Sequence, residues 1–260
     1  MAYSTLTLAH DGPVATITFN RPDKRNAISY ELIDELLRAL GEVEQSAAQV
    51  LVLTGAGKAF CSGMDLDNLR TLKGRSTKEN LRDSQTMGLL FRSIYEFARP
   101  TIAAVNGPAI AGGCGIATLC DFTLASTDAK FGYTEVRIGF LPAIVSTFLI
   151  RQVGEKHARD LLLTGRIVSA EEAFRIGLVT EVVAPDSLKT RTRELAAQLT
   201  ENSPASLAAT KQLLTGFSFE ELNNNIRAAV DSNARIRATD DFREGVSSFL
   251  EKRKPKWSGK

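Results

Sequence analysis

The stretch between residues 101 and 121 constrains the fold more than any other part of this chain. It opens with Thr101 to Val105, an apolar, partly β-branched run of strand length that is typical of a buried strand. The chain then turns through residues 106–108 and reaches the pair Gly112–Gly113, where a short apolar helix is predicted to begin. The first turn of a helix carries N–H groups without an intrahelical partner, and glycine lets another atom approach them closely. This stretch therefore predicts a backbone site for an anion, including one that exists only during a reaction.

These glycines could also serve tight packing or a dinucleotide site. A glycine pair allows a helix to pack closely against a strand, and taken alone the Gly112–Gly113 pair favours that role. A dinucleotide site is disfavoured, because the spacing of the glycines at 107, 112, 113 and 115 does not match G-x-G-x-x-G. The strand also lies too close to the middle of the chain to belong to a first βα unit.

A second glycine-rich loop strengthens the prediction of an anion site. Val50 to Leu53 predicts a short buried strand, and the loop that follows it, residues 54–66, has its tightest point at Gly63–Met64. The backbone there can approach a ligand. This loop is only superficially similar to a phosphate-binding P-loop, because Gly57-Lys58 is followed by alanine and the long glycine spacing before it is missing.

Glu135 is a carboxylate among aromatic and aliphatic neighbours in a predicted loop over residues 130–142. Such neighbours remove water from a carboxyl group and raise its pKa, which suits a proton shuttle. A salt bridge to Arg137 or Lys130 is an alternative of equal weight.

Composition excludes several classes of protein. With 260 residues, 43% hydrophobic and 24% charged, the chain predicts one large globular domain, with or without an appendage. A net charge of +2 gives no electrostatic case for nucleic acid or a membrane surface as main partner. The three cysteines lack metal-ligand spacing and predict reduced, buried thiols of a cytoplasmic protein. His10 and His157 both lie among polar residues, which disfavours Ser-His or Cys-His catalysis. No secretory signal and no membrane-spanning stretch is visible.

The order of elements changes along the chain. A β-hairpin, a helix that starts after Ser29 and a second helix over 81–97 precede the 101–121 stretch, and from about residue 143 the chain is mostly helical. Residues 66–82 are polar and charged, and we expect them to be a mobile segment over the site.

Several long motifs in one order resemble the crotonase, or enoyl-CoA hydratase/isomerase, superfamily. They lie at residues 20–28, 59–66, 104–114, 131–139, 163–173, 177–179 and 244–253. The resemblance implies an α/β fold, a crotonase-like spiral of ββα units over residues 1–195, followed by a C-terminal helical trimerisation region over 196–260. It also implies an acyl-CoA thioester as substrate, a homotrimer or dimer of trimers, no metal, and no cofactor beyond the CoA of the substrate itself.

The resemblance also implies roles for particular residues. The backbone N–H groups of Met64 and Gly112 polarise the thioester carbonyl, and Glu135 moves protons. The CoA thioester is contacted by Lys24, Arg25, Ser62, Gly63, Met64, Asp65, Leu66 and Gly112, and Phe249 and Lys252 reach the CoA of a neighbouring subunit.

The chain departs from the family pattern at Gly115. Hydratases of this family typically hold a water between two glutamates; the second matches Glu135, and the first falls on Gly115. We expect the gap there to admit another group or a substrate with its own carboxylate. The sequence favours a hydratase that uses Glu135 on a short or branched 2-enoyl thioester. A one-base isomerase and a non-catalytic CoA-thioester-binding protein are the alternatives.

Overall fold

A computed structural model describes residues 3–72 and 74–260 of the chain. Its strands are β1 (Leu6–Asp11), β2 (Val14–Phe19), β3 (Val50–Gly55), β4 (Thr101–Val105), β5 (Ala109–Ile110), β6 (Phe122–Ser126), β7 (Lys130–Gly132), β8 (Val168–Ser169) and β9 (Glu181–Val183). Its helices are α1 (Tyr30–Gln45), α2 (Leu66–Leu72), α3 (Thr77–Tyr95), α4 (Gly112–Leu119), α5 (Ala143–Thr164), α6 (Ala170–Arg175), α7 (Leu188–Thr200), α8 (Pro204–Gly216), α9 (Phe219–Ile236) and α10 (Asp240–Leu250). Short 3-10 turns cover Pro22–Lys24, Glu135–Ile138 and Pro185–Ser187.

The strands form two sheets. The larger has the order β1-β2-β3-β4-β6-β9; β1 and β2 are an antiparallel hairpin, and the remaining pairs are parallel. The smaller has the order β5-β7-β8. In β3, Leu51 and Leu53 enter the main core, whereas Val50 and Val52 face a second core that α7 covers. A parallel sheet of this kind is buried on both faces, which is why its strands read as continuous apolar runs.

A strand–strand–helix order recurs along the chain, as β1-β2-α1, β4-β5-α4 and β6-β7-α5. In each later repeat the first strand joins the large sheet and the second joins the small one. This arrangement agrees with the predicted ββα spiral and places the loops after β3 and β4 at one sheet edge.

Local signals predicted most of these elements correctly. The hairpin is confirmed, and α1 begins after Ser29, whose side-chain oxygen accepts a hydrogen bond from Leu32 N at 3.1 Å. The glycine pair begins α4 as predicted. In contrast, the segment expected to be mobile over 66–82 is mostly helical. A side-chain oxygen of Asp65 accepts from Asp67 N at 2.9 Å at the start of α2, and Ser76 forms a capping box at the start of α3. Position 73 of that segment lies outside the described residues.

The C-terminal helices pack on the core to different degrees. Helix α9 packs against α3 and α5, and α10 packs against α2 and the Glu135–Ile138 turn, whereas α8 has no buried residue. The predicted boundary at residue 195 falls inside α7, whose Leu195, Ala196 and Leu199 cover the large sheet. An oligomerisation role for 196–260 stays a prediction. Over residues 3–72 and 74–260, no helix has the length and apolar character needed to cross a membrane.

Candidate active site

A cavity of about 410 Å³ lies where the loops after β3 and β4 meet the Glu135–Ile138 turn and helices α3, α9 and α10. Most of its wall is apolar. Of the residues predicted for the site, those that line the cavity are Ser62, Met64, Gly112, Glu135 and Phe249. Those that do not line it are Lys24, Arg25, Gly63, Asp65, Leu66 and Lys252.

The two glycine-rich loops pair with each other through their backbones. Phe60 N and Cys61 N donate to Pro108 O at 3.1 and 3.2 Å, and Ile110 N donates to Cys61 O at 2.9 Å. Because β3 and β4 are parallel neighbours, both loops leave the same edge of the sheet, and this pairing holds them side by side.

Glycine is required where these loops touch. Gly63 has a φ of +85°, and a Cβ there would lie 3.1 Å from both Ala111 Cβ and Ile110 O. A Cβ on Gly113 would clash with the carbonyl oxygen of Cys61. A tight-packing role is therefore confirmed for Gly113, whereas Gly112 borders the cavity.

Two backbone amides at the cavity are free to donate. Within the described chain, neither Met64 N–H nor Gly112 N–H donates a hydrogen bond to another residue. Ala111, just before Gly112, has φ 51° and ψ −126°, a strained conformation for alanine that costs about 1–3 kcal/mol. The ψ angle of Ala111 sets the orientation of the peptide that carries the Gly112 N–H, so the strained residue is the one that orients this donor.

Glu135 is held by contacts on both sides of its turn. Before Glu135 in the chain, the hydroxyl of the fully buried Tyr133 forms a 2.9 Å hydrogen bond with Thr118 Oγ1 on α4. After the turn, Gly139 has a φ of +65°, and Gly139 and Gly245 leave no room for a Cβ between the turn and α10. This backbone packing fixes the turn against the C-terminal helix.

The carboxyl group of Glu135 is buried without a partner for one oxygen. The residue is 8% exposed, and Oε2 has no hydrogen-bond partner among residues 3–72 and 74–260. Burial raises the pKa of Glu135 from 4.5 to about 7. Neither Lys130 nor Arg137 forms an ion pair with it in the described structure, so the salt-bridge alternative is wrong.

The expected gap at Gly115 is filled. A Cβ at this position would lie 2.7 Å from Val145 Cγ1 and 3.4 Å from Phe91 Cζ, and both of these side chains line the cavity. Gly115 itself is buried behind them. No room for another group exists there, because α3 and α5 close over the position with apolar side chains.

The loop predicted to contact CoA is held by contacts with residues 21–25. Ser62 N donates to Arg25 O at 3.1 Å, and Arg21 forms a 2.7 Å ion pair with the buried Asp65. Lys24 is exposed, and its Nζ lies 3.4 Å from Asp67. Leu66 and Lys252 are also exposed, at the start of α2 and after the end of α10.

Sequence reasoning missed a polar cluster formed by Tyr30, Arg75, Asp83, Asn233 and Arg237, all of which except Arg75 line the same cavity. Asp83 Oδ2 lies 2.6 Å from Arg237 Nη1, and Asp83 Oδ1 lies 3.2 Å from Arg75 Nη1. Arg237 Nη2 donates to Asn233 Oδ1 at 2.9 Å. The members come from α1, α3, α9 and two loops, so local sequence gives no signal for the cluster.

The comparisons with known proteins agree with this geometry. A family model described as enoyl-CoA hydratase/isomerase matches residues 10–260. A putative enoyl-CoA hydratase of Thermus thermophilus is 44% identical, over 95% of this chain and 98% of its own. An (E)-benzylidenesuccinyl-CoA hydratase of Thauera aromatica is 37% identical, over 98% and 99%. The crystal structure of an enoyl-CoA hydratase from Mycobacterium avium superposes with a TM-score of 0.87 at 33% identity, over 98% of this chain and 99% of the other. This chain therefore belongs to the enoyl-CoA hydratase/isomerase family and has its crotonase fold.

Proposed function

We propose that this enzyme adds water reversibly to the double bond of a 2-enoyl-CoA thioester, with Glu135 as its acid and base. One observation carries the proposal: Glu135, whose Oε2 has no hydrogen-bond partner in the described chain, lines the same apolar cavity as Met64 and Gly112, whose backbone amides donate no hydrogen bond there. Relatives named as hydratases, among them the putative enoyl-CoA hydratase at 44% identity and a short-chain-enoyl-CoA hydratase at 33%, support the same reaction.

The two amides suit the charge that hydration creates. When water attacks C3 of an enoyl thioester, negative charge moves to the thioester oxygen. Backbone donors that are fixed before the reaction stabilise such an oxyanion without reorganising, and losing one donor typically costs about a hundredfold or more in rate. The close packing of Gly63 and Gly113 against the facing loops holds the Gly112 donor in place.

A single carboxylate can complete the proton transfers. The ionised Glu135 takes a proton from water as the water oxygen bonds to C3. The resulting enolate then takes that proton back from Glu135 at C2, which regenerates the carboxylate and adds one water in total. A pKa of about 7 lets the same group act as base and then as acid near neutral pH.

Isomerisation is the second candidate, and the closed position at Gly115 favours it. Val145 and Phe91 occupy the space where a second carboxylate would hold water. A one-base relay needs no such group, since Glu135 can remove a proton at one carbon and return it at another.

The CoA part of the substrate is proposed to lie on the loops that flank the cavity. Lys24 and Arg25 are exposed on a segment bonded to the Ser62 loop, which supports a phosphate contact there. Phe249 and Lys252 are proposed to reach a neighbouring subunit's CoA, although Phe249 also borders the cavity of its own chain. The mechanism uses no cofactor.

A homotrimer, or a dimer of trimers, is proposed for the assembly. Leu213, Leu214 and Phe217 at the end of α8 are 59%, 62% and 75% exposed, and α8 has no buried residue. An apolar surface of this kind supports a contact between copies of the chain. Sedimentation of the wild type and of Leu214→Asp tests it; a wild-type monomer would contradict it.

The experiment that tests the reaction follows the absorbance of 2-butenoyl-CoA, which hydration removes. The proposal expects rapid loss with the wild type and no loss above background with Glu135→Gln, while that variant still binds butyryl-CoA. Conversion of a 3-enoyl-CoA without hydration of the 2-enoyl ester would favour the isomerase. Binding without either reaction would identify a non-catalytic thioester-binding protein.

A further inference from the structure

The proposed reaction needs two parts of the chain to be fixed relative to each other. The Gly112 donor lies at the start of α4, whereas Glu135 lies in the turn that follows β7. These two parts belong to different strand–strand–helix repeats. A displacement of one against the other by about 1 Å can cost about a hundredfold in rate. The contacts between α4 and the Glu135 turn therefore bear directly on catalysis.

One of these contacts is made by the backbone at the start of α4. Ala111 N donates to Gly132 O at 2.7 Å, next to the parallel pairing of β5 with β7. This bond joins the residue before the Gly112 donor to the strand that leads into the Glu135 turn. It sets the position of the helix start, but it does not set the direction of the helix relative to the turn.

A second contact lies near the other end of α4. The Tyr133 hydroxyl and Thr118 Oγ1 are 2.9 Å apart, and the two residues are only 1% and 5% exposed. Because an α-helix rises about 1.5 Å per residue, the contacts at Ala111 and Thr118 lie about 10 Å apart along α4. Together they fix the direction of the helix relative to the turn as well as the position of its start.

The partners of Thr118 determine the direction of this hydrogen bond. Thr118 Oγ1 lies 3.0 Å from Cys114 O and 3.3 Å from Gly115 O, and these carbonyls accept its one proton. The Tyr133 hydroxyl therefore donates to Thr118. Burial raises the pKa of Tyr133 well above 10, so this donor keeps its proton. The Cys114 thiol, one helical turn before Thr118, also contacts the same hydroxyl.

The place of the Glu135 carboxyl depends on the backbone of its turn. Oε2 of Glu135 has no hydrogen-bond partner among residues 3–72 and 74–260. The turn is held by Phe140 N, which donates to Glu135 O at 3.0 Å, and it follows Tyr133 after one residue. A phenylalanine would fill the volume of Tyr133 without burying a hydroxyl. The hydroxyl therefore serves orientation, as satisfied buried polar groups do.

We propose that Tyr133 and Thr118 are positioning residues of this enzyme: their hydrogen bond holds the Glu135 carboxyl at a fixed place relative to the Gly112 amide. This role rests on the proposed function, because it assigns the carboxyl and the amide to one reaction. Neither Tyr133 nor Thr118 is among the described residues that line the cavity, so both act through the turn and α4 rather than on the substrate.

Steady-state hydration of 2-butenoyl-CoA and calorimetry with butyryl-CoA test this role. Tyr133→Phe should lower kcat by about tenfold or more, while the Kd for butyryl-CoA changes by less than about twofold, because the carboxyl moves and the rest of the cavity stays. Thr118→Val should also lower kcat, and the double variant should lose no more than Tyr133→Phe alone. Thr118→Ser keeps a hydroxyl and should recover most of the kcat that Thr118→Val loses.

Two matched controls remove comparable groups elsewhere. Thr192 in α7 is 6% exposed, and its hydroxyl donates to Leu188 O at 2.7 Å, as Thr118 does within α4. Tyr95 in α3 packs against Phe148, with ring centres 5.0 Å apart. Neither Thr192 nor Tyr95 is among the described residues of the cavity lining. Thr192→Val and Tyr95→Phe should therefore leave kcat and the Kd for butyryl-CoA unchanged.

The titration of the Glu135 carboxyl gives a readout that needs no turnover. With isotope-labelled glutamate, the Glu135 carboxyl resonance in the NMR spectrum is the one missing from Glu135→Gln. Its midpoint in the wild type should be about 7, because burial raises its pKa. In Tyr133→Phe, a carboxyl released toward water should titrate about one pH unit lower. The other titratable side chains that line the cavity are the same in both proteins: Tyr30, Asp83, Arg137 and Arg237.

The outcomes separate the positioning role from the proposed function. A Tyr133→Phe variant with wild-type kcat and an unchanged midpoint overturns the role while hydration stands. Equal losses of kcat in the control variants, or a loss of kcat with a parallel rise in the Kd for butyryl-CoA, overturn it as well, because they would show a general loosening of the fold.

If the wild type hydrates nothing, the proposed function fails, and the NMR midpoint decides the positioning role. A lower midpoint in both Tyr133→Phe and Thr118→Val would support it, and an unchanged midpoint in both would overturn it. If Tyr133→Phe does not fold, Thr118→Val is compared with Thr118→Ser by the same measurements. A lower kcat and midpoint in Thr118→Val alone would support the role, and equal values in the two variants would overturn it.

Discussion

Glu135→Gln is expected to stabilise the fold, and the gain depends on pH. The pKa of the carboxyl is about 7 in the native state and near 4.5 in the unfolded chain, so the unfolded state releases its proton first as pH rises. The free energy of unfolding of the wild type therefore falls between about pH 4.5 and 7 and then levels off. The glutamine of the variant stays neutral, so its free energy of unfolding does not fall over this pH range.

The size of the gain follows from the two pKa values. Relative to the value with Glu135 protonated, the free energy of unfolding of the wild type is lower by about 1 kcal/mol at pH 5 and by about 3 kcal/mol at pH 8. The stability of Glu135→Gln minus that of the wild type should thus rise by about 2 kcal/mol between these pH values.

Urea unfolding at pH 5 and pH 8, at one protein concentration, measures this change. The exposed Glu44 gives a matched control, and Glu44→Gln should alter stability by less than about 0.5 kcal/mol at either pH. A Glu135→Gln effect that is equal at both pH values would show that the carboxyl is not held in a desolvated site, and the reasoning would fail.

Three further substitutions test the construction of the amide site. Gly113→Ala should lower the free energy of unfolding by about 1–3 kcal/mol and lower kcat, because its Cβ clashes with the facing loop. As a control, Gly41→Ala in α1, where a Cβ meets nothing within 4 Å, should raise the free energy of unfolding by about 0.5–1 kcal/mol. Urea unfolding and steady-state rates measure both variants. Gly115→Ala should be destabilising by about 1–3 kcal/mol and be partly rescued by Val145→Ala, and an absence of coupling in the double-mutant cycle would contradict the contact. Ala111→Gly should raise stability by about 1 kcal/mol with kcat little changed, and lower stability would show that the alanine is unstrained.

The sequence predicted those parts of the site that depend on neighbouring residues. The strand–glycine–helix pattern identified the start of α4 at Gly112, and the apolar neighbours of Glu135 indicated its burial, because each signal lies within a few residues. The motif resemblance added the fold class, which the matching structures confirm.

The missed features depend on residues far apart in the chain. Gly115 suggested a gap, but Val145 from another helix fills it. Asp83 lies near the start of the helix predicted over 81–97, and its partner Arg237 follows α9 near the other end of the chain. Periodicity and composition carry no information on such pairs, which tertiary packing alone brings together.

The pH dependence of kcat/KM for hydration of 2-butenoyl-CoA tests most directly whether Glu135 is the acid and base. The mechanism starts from the ionised carboxylate, so kcat/KM should fall tenfold per pH unit below about 7 and level off above it. Glu135→Gln should show no hydration across the same range. A flat profile, an inflection near pH 4.5, or hydration by the variant at the wild-type rate would contradict the account.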